Sequence, residues 1–267
     1  MTMPALDFPL ERRAAPVGRI LAVASGKGGV GKTFVSLSLA HAFAARGEKT
    51  LLFDGDLGMA NVDIQLGVTP AADLGSVVSG HVALEDAVSE VRPGGFDVIA
   101  GLSGSGALAS LSVEEVAGLA AGLAAVSLSY DRVVLDLAAG VDPAMMRLAC
   151  AADDVLMVIN DEPTSLTDAY AFIKMLRMRD EDAEPVVVVN LVDEKRTPGR
   201  AYETIARSCE NFLGFRPHFA GSIRRDDRVP DAIRHQTLLA VRHPQADAVS
   251  DIVKLAAVLA RGARAGH

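Results

Sequence analysis

The stretch Gly26-Lys27-Gly28-Gly29-Val30-Gly31-Lys32-Thr33 limits the possible folds of this chain more than any other segment. It matches the GxxxxGK[ST] phosphate-binding loop and adds a second lysine, Lys27, directly after the first glycine. Glycine permits the turns that aim successive backbone N–H groups at phosphate oxygens, Lys32 reaches the β and γ phosphates, and the Thr33 hydroxyl suits Mg²⁺. The flanks agree: Arg19 to Ala24 reads as a short buried strand, and Phe34 to Arg46 as a helix whose N-terminus faces the phosphates. The plainer alternative is a glycine-rich turn carrying two solvated lysines.

Apolar strand candidates recur at 20–24, 50–54, 96–100, 132–137, 154–160 and 185–191, with helix-compatible segments at 34–46, 112–128 and 165–179 between them. This rhythm predicts an α/β fold with a mostly parallel central sheet covered by helices on both faces, and ligand sites beyond the carboxyl ends of the strands. A chain of 267 residues fits one such domain, expected over 19–260, with a flexible lead-in at 1–18 and a flexible tail at 261–267. The alanine-rich run 117–125 predicts close helix packing.

Half of the residues are hydrophobic, yet no apolar run is long enough to span a bilayer and Met1 to Pro16 has no signal-like segment, so a cytoplasmic protein is expected. The net charge of −8 and the scarcity of aromatic residues disfavour direct nucleic-acid binding. Cys150 and Cys209, the two cysteines, predict reduced structural thiols.

Acidic residues close two of the predicted strands. Asp136, after Val133-Val134-Leu135, has the Walker B placement for holding Mg²⁺, and Gly140 lets the following loop approach the γ phosphate. Asp54 and Asp56 follow Thr50 to Phe53. Asp56, opening the polar segment to Asp63, is the candidate for orienting water, and Asp54 for the surroundings of the metal; a loop cap is the plain reading of Asp56. Asn190 can donate to and accept from an adenine edge, or brace a turn.

Taken together, Gly26 to Thr33, Asp54-Gly-Asp-Leu-Gly-Met-Ala-Asn-Val-Asp63, Asp136-Leu-Ala-Ala-Gly140, Glu162-Pro-Thr-Ser-Leu-Thr-Asp-Ala-Tyr170 and Asn190-Leu-Val resemble the MinD/ParA group of P-loop NTPases. These are the ATPases with a deviant Walker A loop, of the SIMIBI class, and the second and fourth motifs favour the FlhG family, also called FleN or YlxH. The resemblance spans roughly 18 to 260 and implies an ATPase that turns ATP into ADP and phosphate with Mg²⁺ and regulates flagellar placement or number. It implies that Lys32 serves its own site while Lys27 reaches phosphate across a nucleotide-dependent homodimer; a contact of Lys27 with a nearby acidic side chain is the local alternative. It places the whole Gly26, Lys27, Gly28, Gly29, Val30, Gly31, Lys32 and Thr33 loop on phosphate. Asp56 falls in the first switch, Asp136 and Gly140 in the second, and Asn190 near adenine.

The partners implied are the GTPase FlhF, a flagellar transcription regulator or a basal-body component. The glutamine-containing activator motif of some FlhG proteins is not found in Met1 to Arg13. Phe219 to Asp226 resembles the later base-binding loop, with Arg224 and Arg225 as a charged departure from it. Ala246 to Leu259 has helical apolar spacing, read as core packing followed by a frayed tail or as peripheral attachment at the inner membrane face or cell pole. Positioning of another cargo, as by MinD or ParA, and a nonhydrolytic nucleotide-dependent adaptor or antiactivator are the competing functions.

Overall fold

The computed structural model describes residues 18–56, 61–70, 72–101, 111–193 and 199–261. Its strands are β1 (Arg19–Ser25), β2 (Thr50–Gly55), β3 (Ser89–Val91), β4 (Phe96–Ile99), β5 (Arg132–Ala139), β6 (Asp154–Ile159), β7 (Val186–Val192) and β8 (His218–Arg224). They form one sheet in the order β3-β4-β2-β5-β1-β6-β7-β8. All neighbours run parallel except the β3–β4 pair at one edge.

Both faces of the sheet are covered, which is why the central strands read as apolar runs and not as alternating ones. The pleat divides β1: Ile20, Ala22 and Ala24 face one core, Leu21 and Val23 the other. The first core is closed by α4 (Val113–Ser127), α5 (Pro143–Cys150), α6 (Pro163–Arg177) and α7 (Gly199–Leu213). The second is closed by α1 (Lys32–Ala45) and α10 (Asp247–Ala260), with the short α2 (Val62–Leu66), α8 (Arg228–Arg234) and α9 (Leu239–Arg242) beside them. α3 (Leu74–Val78) and a 3₁₀ turn at Leu84–Ala87 pack near α4.

Charges at the amino ends of the strands are spent on structure. Arg19 and Arg132 are register neighbours on β1 and β5, and each has its own carboxylate: Arg19 Nε donates to Asp154 at 2.6 Å, and Arg132 Nε to Glu48 at 2.6 Å. The Arg132 guanidinium also lies 4.2 Å from the centre of the Phe43 ring. The carboxyl ends are thereby left for chemistry.

Three sequence expectations are corrected. β3 and β8 extend the sheet beyond the predicted strands, and most of the segment expected as a base-binding loop is the edge strand β8, with Ala220 and Ile223 buried. In the alanine-rich run, Ala121, Ala124 and Ala125 are exposed while Leu119, Leu123 and Val126 make the buried stripe. Alanine there supports helix formation on a solvated face. Cys150 is exposed, whereas Cys209 is buried and its thiol is pushed up to about 11 by burial. The spacing at Ala246 to Leu259 is core packing: Ala248, Ile252, Leu255, Ala256 and Leu259 are buried. The lead-in before Gly18 and the tail after Arg261 lie outside the described residues, as do 57–60 of the Asp56 segment. No described helix is long and apolar enough to cross a membrane.

Candidate nucleotide site

β1 ends at Ser25, and the chain turns through the glycine loop into α1. Gly29 and Gly31 have φ of 82° and 85°, the left-handed region that glycine enters without a Cβ penalty. Gly31 caps α1 without a side-chain hydrogen bond, leaving the first-turn N–H groups of a 14-residue helix without a side-chain cap. Three loop glycines have different reasons to be glycine. A Cβ on Gly26 would lie 2.2 Å from the backbone carbon of Asp168, so α6 packs directly on the loop; one on Gly28 would meet nothing within 4 Å; one on Gly31 would lie 2.3 Å from Asn190 Nδ2.

Asn190 is buried at the end of β7, and its Nδ2 donates to Val30 O at 2.8 Å. Of the two sequence readings, the contact observed is the brace. The amide ties the loop to the strand beside the expected adenine position.

The carboxyl ends of β2 and β5 lie side by side, with Asp54 opposite Asp136 in register. Both carboxylates are buried. Asp136 Oδ1 accepts from Lys32 Nζ at 2.9 Å and from Ser36 Oγ at 2.7 Å. Asp54 lacks a lysine of its own and accepts the weaker Asp56 and Val62 backbone N–H groups at 3.2 and 3.3 Å. Burial first, and then the neighbouring Asp136 charge, push its carboxyl up to about 7. Asp56 is half-buried where β2 ends. Gly140, at φ 104°, donates its N–H to Ser25 O at 3.0 Å and so fastens the end of β5 to the start of the loop.

Lys27 is placed apart from Lys32. Its Nζ donates to Glu162 Oε2 at 2.6 Å and to Thr164 Oγ1 at 3.0 Å, at the start of α6. Lys27 holds the Glu162 carboxyl below its ordinary range, first through that hydrogen bond. The contact observed for Lys27 is thus the local alternative, a nearby acidic side chain, which the Glu162 motif supplies together with Thr164; Ser36 is a further residue of the site that no motif singles out. The i, i+4 spacing of Lys32 and Ser36 on one face of α1 was the available signal for Ser36.

Arg224 and Arg225 are engaged in ion pairs: Arg224 with Asp247 and Asp251 of α10, and Arg225 with Asp193 at 3.3 Å. A cavity of about 940 Å³ lies between α6, α7 and the end of β7 and shares Asn190 with the loop. Phe212 stands at its rim, 76% exposed, edge-on to Tyr170.

The residue set fits a magnesium nucleotide. The loop would offer N–H groups and a lysine to phosphate, and the Thr33 hydroxyl with the Asp136 and Asp54 carboxylates would offer hard oxygen donors. Mg²⁺ in phosphate sites needs only one or two carboxylates besides phosphate and water. Among the described residues no group of three or more His, Cys, Asp and Glu side chains forms a metal site on its own.

The model of the CobQ/CobB/MinD/ParA nucleotide binding domain matches residues 21–239. The chain is similar to antiactivator FleN of Pseudomonas aeruginosa, 36% identical over 230 residues that cover 86% of this chain and 82% of FleN. It is similar to the flagellum site-determining protein YlxH of Helicobacter pylori, 30% identical over 83% of this chain and 74% of YlxH. Among solved structures, the cell division ATPase MinD of Pyrococcus furiosus superposes with a TM-score of 0.78 at 25% identity, covering 91% of this chain and 99% of that one.

Proposed function

Because the chain belongs to the CobQ/CobB/MinD/ParA nucleotide-binding family, and within it to the FleN and YlxH family, we propose that it is an ATP-driven dimerising switch that regulates the number or placement of flagella. ATP is hydrolysed to ADP and phosphate, the ATP-bound form pairs with a second copy, and the pair engages a flagellar regulator, the GTPase FlhF or a basal-body component.

One observation carries this reading: the two loop lysines face different tasks. Lys32 is buried on Asp136 inside its own site, whereas Lys27 sits on the rim at Glu162 with 38% of its side chain exposed. A buried lysine serves the phosphates that arrive beside it. A rim lysine can leave its carboxylate for the phosphates of a facing copy, neutralising charge that would otherwise hold two nucleotide-bearing faces apart. A ligand that binds the pair better than the single chain then drives pairing by linkage.

Within the site, incoming phosphate oxygens take Lys32 from Asp136, while Ser36 keeps Asp136 in place. Thr33 and Asp136, with Asp54 behind them, would hold Mg²⁺, which supplies neutralisation of phosphate charge when bound. Asp56 orients the attacking water, and Gly140 brings the backbone after β5 toward the terminal phosphate. Binding and partner exchange take place in the cytoplasm or peripherally at the membrane or pole.

Light scattering and phosphate release followed in the same samples, with ADP or ATP, test the reading. The wild type is expected to pair only with ATP and to release phosphate, and D56A to keep MgATP affinity with much reduced release. Unchanged release in D56A removes Asp56 from its role. Pairing without release in the wild type selects the nonhydrolytic antiactivator instead.

A further inference from the structure

Of the residues outside the site, Gln236 stands out by combining an unfavourable backbone with a contact that leads back to the nucleotide. It follows α8, is not glycine, and has φ of 50°. Asn and Gly occupy that region readily and Gln does not. From this position its Nε2 donates to Ile64 O of α2 at 3.1 Å, and its Cβ packs against Gly67, where an added Cβ would come within 3.0 Å of it.

α2 is a five-residue helix, too short to hold itself in place. It is held at its start and at its middle. Val62 N at its start donates to Asp54, whose other oxygen accepts from Asp56 N, and Ile64 O at its middle residue accepts from Gln236, which also lies against the C-cap Gly67. Leu66 of α2 and Leu238 beyond Gln236 lie in the same core. The platform behind Gln236 is itself fastened, since Asp231 of α8 accepts from Arg242 Nε at 2.5 Å and His243 Nε2 contacts the same oxygen at 2.8 Å.

We propose that Gln236 is a positioning residue for the nucleotide site: it holds α2 at Ile64 and Gly67 so that the start of α2 stays on Asp54 and Asp56 stays where water is oriented. This rests on the reading of Asp56 given above. The left-handed turn that ends α8 carries Gln236 to α2: Gln236 N donates to Ile233 O at 3.0 Å and Thr237 N to Ala232 O at 3.1 Å, so the helix terminus sets the backbone and the side chain is free to hold Ile64 O.

The test uses the full chain with Q236N and Q236G. Both substitutions relieve the backbone, and neither side chain reaches Ile64 O. The expected result is an unchanged or raised thermal midpoint, exchange of the α2 amides faster by about tenfold, and a kcat lowered about fivefold with the nucleotide Kd unchanged. Amide exchange is read with and without MgATP, so the outcome does not depend on hydrolysis: if the wild type releases no phosphate, faster α2 exchange in the variants still supports the tether. A lowered midpoint with unchanged α2 exchange overturns the proposal. So does unchanged α2 exchange at an unchanged midpoint. Faster exchange with wild-type kcat in a hydrolysing protein overturns the link to Asp56.

Discussion

Lys32 Nζ lies 2.9 Å from Asp136 Oδ1, with both side chains buried at the meeting point of α1 and β5. Removing one partner of such a pair leaves an uncompensated buried charge, so D136A is expected to lose ~3–5 kcal/mol of stability without nucleotide. The K32A/D136A double variant is expected to lose clearly less than the sum of the two single losses. Urea denaturation of the four proteins measures this, and additive losses would show that the pair is not coupled.

Asp54 makes stability depend on pH. Its carboxyl is at about 7 in the folded chain against 3.8 for an ordinary aspartate, so between those values the folded state holds the extra proton. Stability from this group is therefore greatest at low pH and is lost as pH rises through 4 to 7. D54N removes that loss. Without magnesium or nucleotide, it is expected to be more stable than the wild type by on the order of a few kcal/mol at pH 8, with the gain shrinking toward pH 4. A gain that is constant with pH would assign the effect to packing.

Lys27 and Glu162 form a solvent-exposed pair, with side-chain exposures of 38% and 53%. Such pairs are screened by water and contribute little to stability. K27A is accordingly expected to unfold close to the wild type and to keep MgATP binding while losing ATP-dependent pairing in light scattering. ATP-dependent dimers of normal affinity in K27A would count against a contact across the interface.

The loop glycines separate packing from ligand binding. G26A drives a methyl into the α6 backbone at Asp168 and is expected to cost ~2–3 kcal/mol. G28A meets nothing and is expected to leave stability within about 0.5 kcal/mol while weakening nucleotide binding, because the methyl enters the phosphate cradle. Thermal unfolding and nucleotide titration on both variants check this, and equal behaviour of the two would contradict it.

The parallel core was legible because strands buried on both faces are apolar throughout: Leu51 to Phe53 and Val186 to Val189 have no other reading. The edges were less so. β3 has three residues, and β8 mixes exposed Phe219 and half-buried Ser222 with Gly221 at φ 134°. An edge strand is half-solvated and loses its periodic signal, so the adjacent strand β7 decides its state. In the site, motif position alone predicts a carboxylate at Asp136 and a turn glycine at Gly31, whereas the contacts they make, Asp136 with Lys32 and Gly31 beside Asn190, depend on which strands lie next to each other.

The strand–loop–helix around Gly26 to Thr33, the acidic strand ends at Asp54 and Asp136, and the parallel layered class can all be read along the chain, because they depend on short spacings and on backbone freedom. That Lys32 rests on Asp136, Lys27 on Glu162 and Asn190 on Val30, pairs separated by 104, 135 and 160 positions, comes from the folded arrangement. The physical reason is strand order. β5 lies between β2 and β1, and β6 and β7 follow on the other side, so residues far apart in the chain converge at one end of the sheet. Local periodicity carries no record of that order.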